Sequence, residues 1–303
     1  MGSKSFAAAS TLFDPVTRER AWLLYAWCRR CDDIADGQDH GHGMSRVADA
    51  PARVRELGDI TEAALRGERT GDPAFDALAL VAAEVGLPPA WPRDLVAGFA
   101  LDAEEWRPRS TEDLLRYCYH VAGVVGCMMA VVMGVSPDDD VTLDRACDLG
   151  LAFQLSNIAR DVGEDAAAGR CYLPLDWLAE MDVPPGEHMK PPYRPRLAVL
   201  ARRLATLAGR HEASARHGTP ALPFRSAWAV LAAAGIYGAI GREVAKRGEY
   251  AWDARVTTSR AAKLGFVTRA GWQAARRRAL YPERPRDPSL WTRPRADTAM
   301  LTV

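Results

Sequence analysis

Apolar residues recur along this chain at the helical spacing of i, i+3, i+4 and i+7 almost from end to end, and no segment alternates in the manner of a half-buried strand. The pattern predicts helices over about 15–36, 45–66, 73–85, 91–105, 111–133, 142–166, 195–217, 224–247 and 259–279. Asp14-Pro15 reads as an N-cap with proline at the first helical position, and Gly37 as that helix's stop. Breaks fall at 38–44, 86–89, 107–110, 136–140 and 182–195. The last holds five prolines and reads as a surface loop. No tract has a linker's composition and no repeat of fixed period occurs. The expectation is therefore one all-α domain over 1–303, with about 280–303 an irregular basic tail.

Composition narrows the class. The 39 basic residues match 39 acidic ones over 303 positions, which removes the electrostatic case for nucleic acid as a partner. An apolar share of 48% is enough for a large core. The six cysteines are scattered, as reduced thiols in a cytoplasmic protein would be. No secretory signal opens the chain. The longest uncharged apolar stretch, 121–135, has 15 residues, short of the roughly 20 that span a bilayer.

Several chemistries lack their motifs. There is no phosphate-cradling GxxxxGK[ST] loop, no GxSxG elbow and no Glu-x-x-His pair. Cys28 and Cys31 form a CxxC inside a predicted helix without a second pair, which favours packing over zinc or redox work. His40 and His42 lack further ligands nearby.

Five aspartate pairs stand at i, i+4: 32/36, 72/76, 140/144, 144/148 and 161/165. Chance would give about two among 24 aspartates, and most such pairs are solvated helix faces. The 140–148 series reads as a helix start that favours acids. Two pairs differ in their neighbours. Tyr25, Arg29 and Asp32 precede Asp36 at offsets of eleven, seven and four, and Gln154, Ile158 and Asp161 precede Asp165 at the same offsets, with Asn157 one turn from both Gln154 and Asp161. Each helix would thus carry a polar stripe ending in two carboxylates. Such stripes are costly when buried unpaired, and face to face they form either a structural polar network or a cage of oxygen ligands suited to Mg²⁺ and a diphosphate. Arg29 and Arg160 flank the cage. Gly123 and Gly126, inside the helix over 111–133, each cost about 1 kcal/mol, which close helix packing or a smooth apolar cavity wall would repay.

At this point the residues resemble a known family. The segments SKSFAAASTLF (3–13), LYAWCRRCDDIADG (24–37), YCYHVAGVVG (117–126), LDRACDLGLAFQLSNIARDVGEDAAAGRCYLP (143–174) and AWDARVTTSRAAKL (251–264) are similar, in order, to those of the squalene/phytoene synthase family. The resemblance implies the isoprenoid synthase helical bundle around a central active-site cavity. It implies Asp32, Asp36, Asp161 and Asp165 as ligands of Mg²⁺, with Mn²⁺ the alternative ion. Arg29, Arg160 and Arg255 would contact diphosphate, and Ser3 and Ser5 would close over it. Tyr25, Tyr117 and Tyr237, with Gln154 and Asn157, would line the reaction centre. The implied reaction is a prenyltransferase's head-to-head condensation of two geranylgeranyl diphosphates to phytoene in carotenoid biosynthesis, without NADPH and with a phytoene desaturase as pathway neighbour. The alternatives are a C30 relative making dehydrosqualene or squalene from farnesyl diphosphate, and a non-catalytic scaffold member. Greasy substrates lead us to expect a cytoplasmic protein in peripheral contact with the inner membrane surface. From Arg269 onward eight arginines oppose three acids, which reads either as a lipid-facing patch or as a tail packed on the bundle.

Overall fold

The computed structural model describes residues 9–35 and 50–295. Within them every regular element is helical, as the apolar spacing predicts. In chain order these are α1 (Pro15–Ala35), α2 (Ala50–Leu65), α3 (Pro73–Val85), α4 (Ala90–Ala103), α5 (Thr111–Cys118) and α6 (Val124–Val132). There follow α7 (Asp140–Ala167), the short α8 (Leu175–Glu180), α9 (Arg194–Arg216), α10 (Phe224–Arg247), α11 (Arg260–Ala275) and the single turn α12 (Arg277–Leu280). Polar caps set several starts. Asp14 accepts from the Thr17 amide at 3.0 Å, Asp72 from Ala74 at 2.9 Å, and Asp139 from Thr142 at 3.0 Å. Asp72 and its i+4 partner Asp76 are thereby accounted for, since Asp76 accepts from Thr70 at 2.9 Å. Gly37, the expected stop of α1, lies outside the described residues, as do His40 and His42.

The helix predicted over 111–133 is one continuous rod with a flaw. Between α5 and α6 the residues Tyr119–Gly123 form a π-turn, in which the Val124 amide reaches back to the Tyr119 carbonyl. Such one-residue insertions re-aim the side chains on either side, and they concentrate at functional sites. Gly126 and Gly150 then let this rod lie directly on α7. A Cβ on Gly126 would strike the Ala146 carbonyl, and one on Gly150 the Ala122 carbonyl. Close packing is thus what offsets the helical cost of these glycines. By length and composition Thr111–Val132 and Phe224–Tyr250 reach what a membrane span needs, more than the 121–135 stretch indicated, and both are more than half buried in the fold.

The core is continuous from Phe13 to Ala274, with α7 packed between α5–α6, α9 and α10. Two sequence expectations change here. The stretch 182–195 is not a free loop, since Val183 and His188 are buried in it. Of the aspartates 140, 144 and 148, the half-exposed Asp140 does open α7 as a helix-start acid, but Asp144 and Asp148 are buried. All three receive the C-terminal segment 281–295, called the strap below. Asp148 has no exposed surface, and it accepts from His211 at 2.8 Å and from Arg286 at 2.7 and 2.9 Å. Arg293 pairs with Asp140 and, at 3.0 Å, with Asp144; Arg295 reaches Asp144 at 3.2 Å. Trp291 lies against Tyr119, ring centres 5.6 Å apart.

Candidate active site

The helices enclose a cavity of about 1490 Å³. An ordinary small-molecule pocket holds roughly 300–1,000 Å³. One face of α7 runs the length of it. Asp165, Asp161, Asn157 and Gln154 line one end, Phe153, Gly150 and Ala146 the middle, and Arg145 and Thr142 the foot. The spacing of three and four residues is what keeps a single helix face on the cavity over six turns. α1 supplies the opposite wall with Tyr25, Cys28, Arg29 and Asp32, again at offsets of three, four and seven. The two polar stripes read from the sequence therefore line one cavity.

The charges at that end are balanced unevenly. Arg29 donates to Asp32 and Asp33, each at 2.7 Å. Asp161 is gripped from two sides, by the neighbouring Arg160 and by Arg255 at 3.0 Å, and Arg255 also pairs with Glu164. Arg160 and Arg255, expected to face a diphosphate, are spent on Asp161 and do not line the cavity, whereas Arg29 does. Burial pushes the Asp165 carboxyl up to about 7, the Asp161 charge adds to the rise, and Arg170 opposes it.

Aromatic faces line the wall beyond the carboxylates. Tyr237 stacks on Phe153 with ring centres 4.2 Å apart, and burial pushes its phenol up. Tyr117 is sandwiched between Trp106 and Tyr172, at 5.9 and 4.8 Å. Its hydroxyl donates to Asp102 at 3.0 Å, and that of Tyr172 donates to the same carboxylate at 2.8 Å. Burial, then the Asp102 charge, pushes the Tyr117 phenol well up, so it stays protonated. Burial raises the Cys28 thiol to about 12 and the Cys31 thiol well above its usual value, which leaves this CxxC unsuited to metal or redox chemistry.

Of the sequence-derived site residues, Tyr25, Arg29, Asp32, Tyr117, Gln154, Asn157, Asp161, Asp165 and Tyr237 line the cavity. Ser3, Ser5 and Asp36 lie outside the described residues. Asp102, Arg170, Tyr172 and Phe153 line it too; the last three fall in the 143–174 segment that carries the family resemblance without being named individually there, and Asp102 falls in none of the resembling segments. Asp102 sits in no motif, and its tyrosine partners are 15 and 70 residues away, so no local pattern marks it.

The squalene/phytoene synthase family model matches residues 1–262. The chain belongs to the squalene/phytoene synthase family. It is 48% identical to a 15-cis-phytoene synthase of Enterobacter agglomerans over 97% of this chain and 99% of that protein. A 15-cis-phytoene synthase of Paracoccus sp. is 49% identical over 97% and 94%. Among solved structures, a dehydrosqualene synthase in complex with ligand superposes with a TM-score of 0.79 at 28% identity, covering 90% of this chain and 92% of its own. As a member of this family the chain is a prenyltransferase-type enzyme with a prenyl diphosphate substrate and the isoprenoid synthase fold.

The oxygen donors that line the cavity fit the chemistry of a hard divalent metal. Asp32, Asp161 and Asp165 are hard oxygen donors lining the cavity. The Asn157 Oδ1, one turn from Asp161, is buried without a hydrogen-bond partner. Among the described residues no three carboxylates, histidines or cysteines stand close enough to hold an ion by themselves. Mg²⁺ keeps water and phosphate oxygens in its shell and takes only one or two protein carboxylates.

Proposed function

We propose that this enzyme condenses two geranylgeranyl diphosphates head to head, through prephytoene diphosphate, to phytoene in carotenoid biosynthesis. The near-full-length likeness to 15-cis-phytoene synthases carries the reading. The stretch of α7 that lines the cavity is long enough for the C20 substrate. Sixteen residues separate Asp161 from Arg145 on α7, about 24 Å at helical rise. A C–C bond of about 1.5 Å advances an extended chain by roughly 1.25 Å, so a geranylgeranyl main chain of about 16 carbons reaches roughly 20 Å, and a farnesyl chain of about 12 reaches roughly 15 Å.

Mg²⁺ held by Asp32, Asp161, Asp165 and Asn157 would supply the positive charge that stabilises the departing diphosphate. The chain's own residues do the rest. Arg29 and Arg170 hold the diphosphate at the mouth while the C1–O bond of the donor breaks. The apolar bore, Phe153 to Ala146, aligns both hydrocarbon tails and keeps water from the allylic cation. The faces of Tyr25 and Tyr237 stabilise that cation, while Tyr117, stacked between Trp106 and Tyr172, holds the wall beside it. The acceptor's double bond attacks C1, and loss of a proton closes the cyclopropane. A second ionisation, rearrangement and proton loss yield the C40 hydrocarbon. The sequence ends in proton loss, not reduction, and so needs no NADPH.

A cytoplasmic enzyme in peripheral contact with the inner membrane surface fits the substrate. On α11 and α12 the exposed Leu264 and Trp272 stand among the exposed Arg269, Arg276 and Arg278. Arg286, Arg293 and Arg295, counted in the basic tail, are instead paired on α7, so the lipid-facing group is smaller than the sequence excess. Sedimentation with anionic liposomes tests this; unchanged binding on neutralising Arg276 and Arg278 would refute it. The function itself is tested by identifying the hydrocarbon formed from each prenyl diphosphate.

A further inference from the structure

Arg145 is an unusual residue to meet at the end of a hydrocarbon bore. It lines the cavity and is nevertheless only 4% exposed. Its two terminal nitrogens are engaged by the protein behind it. One donates to the Ser214 hydroxyl at 2.6 Å and to the Ser214 carbonyl at 3.3 Å, and the other donates to the Arg284 carbonyl at 2.8 Å. What remains toward the bore is the methylene stem, alongside Gly218. A Cβ on Gly218 would stand 2.7 Å from the Arg145 Cβ and 3.4 Å from its Cγ, so the stem occupies the space a side chain there would need.

Arg284 belongs to the strap, which is held in turn by Arg286 on Asp148, one turn along α7 from Arg145. The His217 Nδ1 donates to the Pro282 carbonyl at 2.8 Å and fixes the strap's near end beside Gly218. The strap lies wholly beyond residue 262, where the family model's match stops.

The geometry points to Arg145, set against Gly218 and fixed from behind by the strap, as the floor that limits the length of prenyl chain the enzyme accepts. This rests on the phytoene-forming reading and adds to it the residues that select the substrate. Arg145 acts through its stem, and the strap residues act as positioning residues for it. The Arg145 stem stands about 24 Å along α7 from Asp161, so a geranylgeranyl chain of roughly 20 Å ends short of it and a chain one isoprene unit longer, roughly 25 Å, has to press past it toward Thr142.

The test compares farnesyl, geranylgeranyl and geranylfarnesyl diphosphates, C15, C20 and C25, as substrates, with Mg²⁺ present and hydrocarbons identified by mass. The wild type is expected to make hydrocarbon from C20 and little from C25. Arg145→Ala should raise the C25-to-C20 ratio of kcat/KM by at least about tenfold, the scale on which a pocket registers a missing or extra methylene. Gly218→Ala should act in the opposite sense, pressing the stem into the bore and raising the C15-to-C20 ratio. A wild type that uses C25 as well as C20 would overturn the floor whatever the variants do. Ratios unchanged in folded variants would overturn it as well, while C40 formation by the wild type left the parent reading standing. No hydrocarbon from any chain length would instead sink the parent reading, and the floor with it.

Discussion

Asp148 of α7 and Arg286 of the strap, 138 residues apart, meet through two hydrogen bonds of 2.7 and 2.9 Å, with the carboxylate wholly buried. Removing one partner of such a pair leaves an uncompensated charge, at a cost of about 3–5 kcal/mol. Arg286→Ala should therefore lower the denaturation midpoint sharply while secondary structure is retained.

The same carboxylate gives a pH dependence. Burial alone would raise its pKa, but the hydrogen bonds from Arg286 and His211 outweigh burial and hold it below the ordinary value. A folded-state pKa below the unfolded one, near 3.9, means the stabilisation is complete above that pH and is lost as pH falls through the folded value. Stability measured by denaturant from pH 6 down to 3 should fall more steeply for the wild type than for Asp148→Asn.

Two glycines in helices should respond with opposite signs. Gly150→Ala forces a Cβ onto the Ala122 carbonyl, and overpacking of this kind costs about 1–3 kcal/mol. Gly58, in α2, has open space around the position an alanine methyl would take, with nothing within 4 Å, so Gly58→Ala should stabilise by about 0.5–1 kcal/mol. Thermal melts of the two variants read the difference directly.

Asp102 carries two tyrosine hydroxyls. Asp102→Ala would leave the buried oxygens of Tyr117 and Tyr172 unpaired, at about 1–3 kcal/mol each, and free the ring stack beside the reacting centre. Lower stability together with a kcat reduced by more than about tenfold is expected, and Asp102→Asn, which keeps an acceptor, should recover part of both.

The helices were legible because an amphipathic bundle writes its core every three to four residues, and the polar stripes of α1 and α7 were legible for the same reason. Local spacing could say that Asp161 and Asp165 share a face; it could not say that Asp144 and Asp148 are buried and, with Asp140, clamped by arginines. The partners of those three, Arg286, Arg293 and Arg295, lie about 140 residues or more away, and an i, i+4 acid series looks alike whether solvated or clamped. Asp102 escapes notice on the same ground, since its role exists only once Tyr172 is folded onto Tyr117. The π-turn at Tyr119–Gly123 was hidden because one extra residue shifts the register by one without interrupting the apolar run on either side.

Charge at the mouth should be indispensable. Asp161→Asn keeps the shape but removes a hard donor and the partner of Arg160 and Arg255. Metal stabilisation of a leaving group is worth several kcal/mol, so activity should drop by about a thousandfold or more, with folding unchanged by circular dichroism. Chelation of the wild type should abolish turnover, and added Mg²⁺ should restore it.

The most direct test is the product itself. Purified full-length chain is given Mg²⁺ and either geranylgeranyl or farnesyl diphosphate, without NADPH, and the extracted hydrocarbon is identified by mass. A C40 hydrocarbon from geranylgeranyl diphosphate is expected, absent in the Asp161→Ala variant. A C30 product in preference to C40 would contradict the C20 reading, and no hydrocarbon from either substrate would contradict the enzymatic one.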